Sequence, residues 1–146
     1  MAAEDSTGRA RKPTNDERLV SIVDDDASVR RSTARLIRSL GLHAETFASG
    51  EEFLASGRAA QTACVLLDVR MPGMDGLELQ RRLADRTPPI PIVFLTGRAS
   101  DAEERRAREA GAVDFLRKPV GKEALLRVVS GIFDRSTGGQ GDSHDG

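Results

Sequence analysis

The chain contains no tryptophan, no tyrosine and a single cysteine in 146 residues. One cysteine, Cys64, excludes an internal disulfide and fits a reducing compartment. It lies within an apolar run, which favours a packed, inert thiol over a nucleophile. Net charge is only −1, so no overall field draws the chain to nucleic acid or a membrane surface. No apolar run approaches membrane-spanning length. The opening "MAAEDSTGRARKPTNDER" lacks the apolar h-region of a secretory signal. These shortages leave the expectation of a soluble, cytoplasmic chain, long enough for one domain with a real core and too short for two.

The two ends are polar and rich in glycine and mixed charge. Residues 1–17 and 136–146 are expected to be flexible tails, with the folded domain over 18–135. The basic "RARK" near the start reads as a solvated tail, and His144 near the end has no evident partner. Between the tails, the apolar runs "LVSIV", "HAETF", "ACVLLD", "IPIVFL" and "AVDFL" alternate with helical patterns. The runs are too short for helices, and several are apolar almost throughout, which suits strands covered on both faces. The first helical segment carries Val29, Thr33, Leu36 and Leu40 on one face and stops at Gly41. Ser49–Glu52 and Ser100–Glu103 have the form of capping boxes. Asp75 opens a third helix with Leu79 and Leu83 on one face, and Leu125, Val128, Val129 and Ile132 stripe the last. The segment from Ser100 to Ala110 offers little beyond alanine for burial and is expected to be less stable. Five β-α repeats imply an α/β fold, a parallel sheet with helices on both faces.

In such sheets ligands bind beyond the C-terminal strand ends. The first strand ends in Asp24, Asp25 and Asp26, the third in Asp68 and the fourth in Thr96; Lys118-Pro119 follows the fifth. Two carboxylates 4 Å apart repel by about 4 kcal/mol at an effective dielectric of about 20, so the aspartate run calls for a compensating charge. Hard oxygen ligands suit Mg²⁺, which takes one or two carboxylates, waters and a phosphate oxygen. Asp68 has the makings of a carboxylate nucleophile towards phosphorus. Thr96 and Lys118 have the chemistry to hold phosphoryl oxygens. Asp26 sits where a cap for the first helix is needed. A lone aspartate, threonine or lysine at a strand end is usually a turn or surface residue; the set in this order is not so easily dismissed.

"IVDDDASVRRS", "VLLDVRMPGMDGLEL", "PIVFLTGRAS" and "GAVDFLRKPV" together resemble the successive motifs of the bacterial response-regulator receiver domain, over about residues 18–135. The blocks are similar to receivers of nitrogen-fixation-type regulators. Those normally precede a DNA-binding domain; none is recognised here, so the expectation is a stand-alone receiver without direct DNA binding. The resemblance implies a flavodoxin-like (βα)5 sheet of order 2-1-3-4-5. It implies Asp68 as phosphoacceptor, with Asp24, Asp25, Asp68 and the backbone carbonyl of Arg70 around Mg²⁺. It implies phosphoryl contacts from Thr96 and Lys118, a cis bond before Pro119, and Phe115 with Thr96 at the switch positions. Phe115 lacks the hydroxyl of the tyrosine common there. Arg70 and Arg98 stand where side chains flank the path of attacking water.

The implied partners are a sensor histidine kinase and, for output, a histidine phosphotransfer protein or another protein target. A homodimer through the face of helix 4, strand 5 and helix 5 is also implied. A second class competes: "VDDDAS" also resembles the opening motif of haloacid-dehalogenase-type phosphatases, with Asp24 as nucleophile and Asp26 as acid/base. That reading leaves Asp68 unexplained and lacks the family's last acidic pair. A binding-only module is the third reading, disfavoured because every matched site residue is present.

Overall fold

The structure is a computed structural model that describes residues 18–138. The expected tails over 1–17 and the end of the chain, including "RARK" and His144, lie outside the described residues, apart from 136–138. Those three residues belong to the last helix.

The strands are β1 (Leu19–Val23), β2 (His43–Phe47), β3 (Thr62–Asp68), β4 (Ile92–Thr96) and β5 (Asp114–Arg117). The helices are α1 (Ala27–Ser39), α2 (Gly50–Ser56), α3 (Gly76–Leu83), α4 (Asp101–Glu109) and α5 (Lys122–Gly138). A 3₁₀ turn over Arg58–Gln61, not expected from the sequence, links α2 to β3. All strand pairs are parallel, in the order β2-β1-β3-β4-β5. This is the flavodoxin-like sheet the motifs implied. No helix among the described residues is long and apolar enough to cross a membrane.

Strand alternation sorts the core into two layers. Val20, Ile22, Cys64, Leu66, Val93 and Leu95 face one side, where they pack with Ala34 and Ile37 of α1 and Leu125, Val128 and Val129 of α5. Val23, Val65, Leu67, Ile92 and Phe94 face the other, where Phe53 of α2, Leu79 and Leu83 of α3, and Ala107 of α4 cover them. Cys64 is fully buried, and burial pushes its thiol up to about 12, so it is the inert packing residue expected. The α1 stripe is rotated from its expected position. Thr33, Ala34 and Ile37 are buried, while Leu36 and Leu40 pack only at the edge of the cluster.

The caps fix where each helix leaves its strand. Ser100 and Glu103 form a complete capping box on α4. At α2, Ser49 accepts from the Glu52 amide, but the Glu52 carboxylate reaches the Ala48 amide instead of closing on Ser49. α4 is thinly anchored, as its composition foretold: Ala107 is its one buried residue.

Candidate functional site

The carboxyl ends of β1 and β3 are adjacent in the sheet, so the topology brings Asp24 and Asp25 beside Asp68. Ligand oxygens of these three residues lie within 4.8 Å of one another. Asp24 is fully buried and Asp68 nearly so, whereas Asp25 is exposed. Lys118, after β5, reaches across with its ammonium 2.7 Å from Asp24 Oδ2 and 3.3 Å from Asp68 Oδ2. The Lys118–Pro119 bond is cis. Thr96 is buried at the end of β4, and its hydroxyl oxygen accepts from the Ala99 amide at 2.8 Å. That leaves the hydroxyl proton available to a further acceptor.

Asp24 is positioned by several backbone and side-chain bonds. Its Oδ1 accepts from the Asp26 amide at 2.9 Å. Its carbonyl accepts from Arg30 Nη1 at 2.7 Å. Its own amide donates to the Phe47 carbonyl of β2. Asp26 turns the other way, accepting from the Ser28 amide and hydroxyl and the Val29 amide. The Ser28 hydroxyl and these amides hold its carboxyl below the usual carboxylate range. The aspartate run therefore divides into two residues facing the pocket and one helix cap. A capping Asp26 is not placed to act as the acid/base of the phosphatase reading.

Asp68 is held near the pocket by the Arg70 amide, which donates to its Oδ1 at 3.3 Å. Burial, then the charge of Asp24, pushes the Asp68 carboxyl up to about 6, with Lys118 opposing. Burial alone would lower the Lys118 ammonium; contact with Asp24 and the charges of Asp24 and Asp68 more than offset it, and its pKa stands above the ordinary lysine value. Asp24 Oδ2 is buried, and its contact is the ion pair with the Lys118 ammonium. Three carboxylates face one ammonium, an excess of two negative charges when all are ionised. An all-oxygen acidic set whose three carboxylates are answered by one ammonium fits a small divalent cation.

Phe115 is half-buried, its ring stacked on Phe94 at 5.5 Å and covered by the Arg108 guanidinium at 4.7 Å. Arg70 turns its side chain towards α4, donating to the Arg98 carbonyl at 3.1 Å and to Glu103 at 2.8 Å. Three residues around the pocket escaped the sequence reading. Arg30 holds the Asp24 loop from within α1, and nothing in its neighbourhood distinguishes it from the arginine beside it. Glu103 was legible only as a cap. Gly76, after the Asp75 cap, packs directly under the Asp68 carbonyl.

The sheet thus carries an acidic pocket and a lysine together at its carboxyl rim, the arrangement that the receiver motifs implied. Comparison with known proteins agrees. Residues 20–130 match the response regulator receiver domain, and the chain belongs to that family. Nodulation protein W of Bradyrhizobium diazoefficiens is 44% identical over 117 residues, 80% of this chain and 52% of that protein. The response regulator protein TmoT of Ectopseudomonas mendocina is 41% identical over 120 residues, 82% of this chain and 54% of that protein. The chain thus spans about half the length of the curated relatives it matches. A response regulator receiver protein from Burkholderia phymatum superposes with a TM-score of 0.68 at 42% identity, covering 79% of this chain and 94% of that one.

Proposed function

We propose that the chain accepts a phosphoryl group on Asp68 from a sensor histidine kinase, in a Mg²⁺-dependent reaction, and signals through protein contacts. The observation that carries this reading is the pocket itself: three clustered carboxylates with Lys118 in contact with two of them, in a chain of the receiver family. An Asp68 carboxylate oxygen attacks phosphorus, and the bond from phosphorus to the donor nitrogen breaks. Lys118 and the Thr96 hydroxyl hold phosphoryl oxygens, and the Asp68 carboxyl is fixed for attack by the Arg70 amide. Asp24, Asp25, Asp68 and the Arg70 carbonyl would hold Mg²⁺, which when bound supplies positive charge to the incoming phosphoryl oxygens. Output then passes through the face made by α4, β5 and α5, with Phe115 as its switch residue, through a homodimer on that face, or onward to a histidine phosphotransfer protein.

The test is intact-mass spectrometry of the chain with a small acyl phosphate as donor. With Mg²⁺ the parent should gain the mass of one phosphoryl group, and chelation should prevent it. Asp25→Ala should lose this Mg²⁺-dependent uptake, whereas Asp26→Asn, altered only at the α1 cap, should retain most of it. Equal loss in both would remove the division of the aspartate run, and no uptake by the parent would remove the reading.

A further inference from the structure

Arg70 stands two residues after Asp68, yet its guanidinium is spent on another element. Nε donates to the Arg98 carbonyl in the β4–α4 connection, and Nη2 pairs with Glu103 in the first turn of α4. Glu103 Oε1 also accepts from the Ser100 amide at 2.9 Å, so one carboxylate oxygen serves both the α4 cap and Arg70. The bond from the Ser100 amide, with the Arg70 charge adding to it, holds the Glu103 carboxyl below its ordinary range. Elsewhere α4 is tied down only past its middle. Ala107 is buried, its carbonyl accepts from Nε2 of the buried Gln80 side chain, and Arg108 covers Phe115. No residue of α4 before Ala107 is buried. Among the described contacts, Arg70 is what fastens the amino-terminal half of this helix to the pocket loop.

We propose that the Arg70 side chain is a clamp on the first turn of α4 and that a phosphoryl group on Asp68 releases it. The proposal rests on the phosphoacceptor reading above. The Arg70 backbone already lies against Asp68, its amide 3.3 Å from Oδ1. A phosphoryl group carries about 1.5 to 2 negative charges and accepts bidentate arginine bonds, against the single charge of Glu103. The guanidinium moves to the stronger anion. Glu103 keeps its bond to the Ser100 amide, so the cap survives while the tether to the pocket is lost. The change at α4 is then set by one residue whose charge competes between two sites, a two-state element biased by the new anion. Arg70 acts here as a positioning residue, separate from any role of its backbone carbonyl.

Arg70 is exposed at 58% and Glu103 half-buried at 20%, a pair at the surface, so the effect is modest. Exposed pairs contribute about 0.2–1 kcal/mol, which converts to a roughly 1.4- to 5-fold change in local opening. The experiment is hydrogen exchange by mass spectrometry on the full chain, followed over residues 98–109, before and after treatment with acyl phosphate and Mg²⁺. In the parent, exchange there should quicken by up to about 5-fold on phosphorylation. Glu103→Gln keeps an oxygen for the Ser100 amide but removes the charge that holds Arg70. Its unphosphorylated form should already exchange at the faster rate, and phosphorylation should add little. Arg70→Ala should behave alike before phosphorylation. If uptake occurs and exchange over 98–109 is unchanged or slower, or if both variants keep the parent's slow exchange, the clamp is wrong. If the parent gains no phosphoryl mass, the functional reading fails and the release step goes with it.

Discussion

Asp68→Asn is expected to end phosphoryl uptake and, in the same stroke, to make the metal-free chain more stable at neutral pH. The first effect follows from the role proposed for Asp68, whose carboxylate oxygen would be the one that attacks phosphorus. The second follows from what the fold does to that carboxyl. Burial, reinforced by Asp24, moves it from 3.8 to about 6. The folded state therefore binds this proton more tightly than the unfolded chain. The stability so gained is fully present below about pH 4 and is lost as pH rises through about 6. Above that window the ionised group opposes folding. Two pKa units correspond to about 3 kcal/mol, and solvent screening at the rim of the sheet reduces what the residue contributes to about 1–2 kcal/mol. Asparagine keeps the shape and removes the charge. Thermal melts without Mg²⁺ should show Asp68→Asn above the parent by several degrees near pH 7.5, with the gap closing between about pH 6 and pH 4. Adding Mg²⁺ should raise the parent more than the variant, because ligand binding stabilises the state that binds it. A variant less stable than the parent at neutral pH would mean that the Lys118 attraction outweighs burial. On the proposed reading the same carboxylate would serve chemistry at the expense of stability, as expected where groups are held for reaction rather than for folding.

The sheet was legible because its signals are redundant. Each strand is a short apolar run, each helix has a cap or a stop, and parallel order follows from strict β-α alternation. Alternation within β3 even gives the two-layer sorting, with Leu66 to one side and Val65 and Leu67 to the other. The pocket was legible for a related reason: polar residues at strand ends stand out against such runs, and topology gathers them. The α1 stripe was harder to place. Leu36 and Leu40 outrank Ala34 by hydrophobicity, yet a small residue lets the helix lie close to the sheet, and Ala34 is the one buried. Contacts that cross between loops left no trace in the sequence. Arg70 and Glu103 are 33 positions apart and are separately ordinary, one a surface arginine and the other a cap. Only the folded rim makes them partners. Glycine carries a similar ambiguity, because a turn glycine and a close-packed glycine are written alike.

Gly76→Ala is expected to be among the most damaging single-methyl changes in the domain. A Cβ at this position would fall 2.2 Å from the Asp68 carbonyl oxygen and 3.0 Å from both Val69 Cα and Phe94 Cε1. Two of these atoms are backbone, and Phe94 is fully buried, so none can swing aside. The Gly76 amide also donates to the Val69 carbonyl at 2.9 Å, which binds the start of α3 to the end of β3. To admit a methyl group, α3 must move off the strand that carries Asp68. Overpacking typically costs about 1–3 kcal/mol and occasionally more, and contact with backbone puts this site at the upper end. Alanine's better helix propensity returns about 1 kcal/mol. The net loss should be at least about 2 kcal/mol, a fall in Tm of roughly 5–10 °C. Gly131→Ala in α5 is the control, since a Cβ there meets nothing within 4 Å, and it should be neutral or slightly stabilising. Phosphoryl uptake separates strain from mere instability. Measured well below the Tm of Gly76→Ala, uptake should still be slower by about 10-fold or more, because a small misplacement of a reacting group is costly to rate. Normal uptake by a destabilised Gly76→Ala chain would show that α3 yields and Asp68 does not, and the glycine would then serve packing alone.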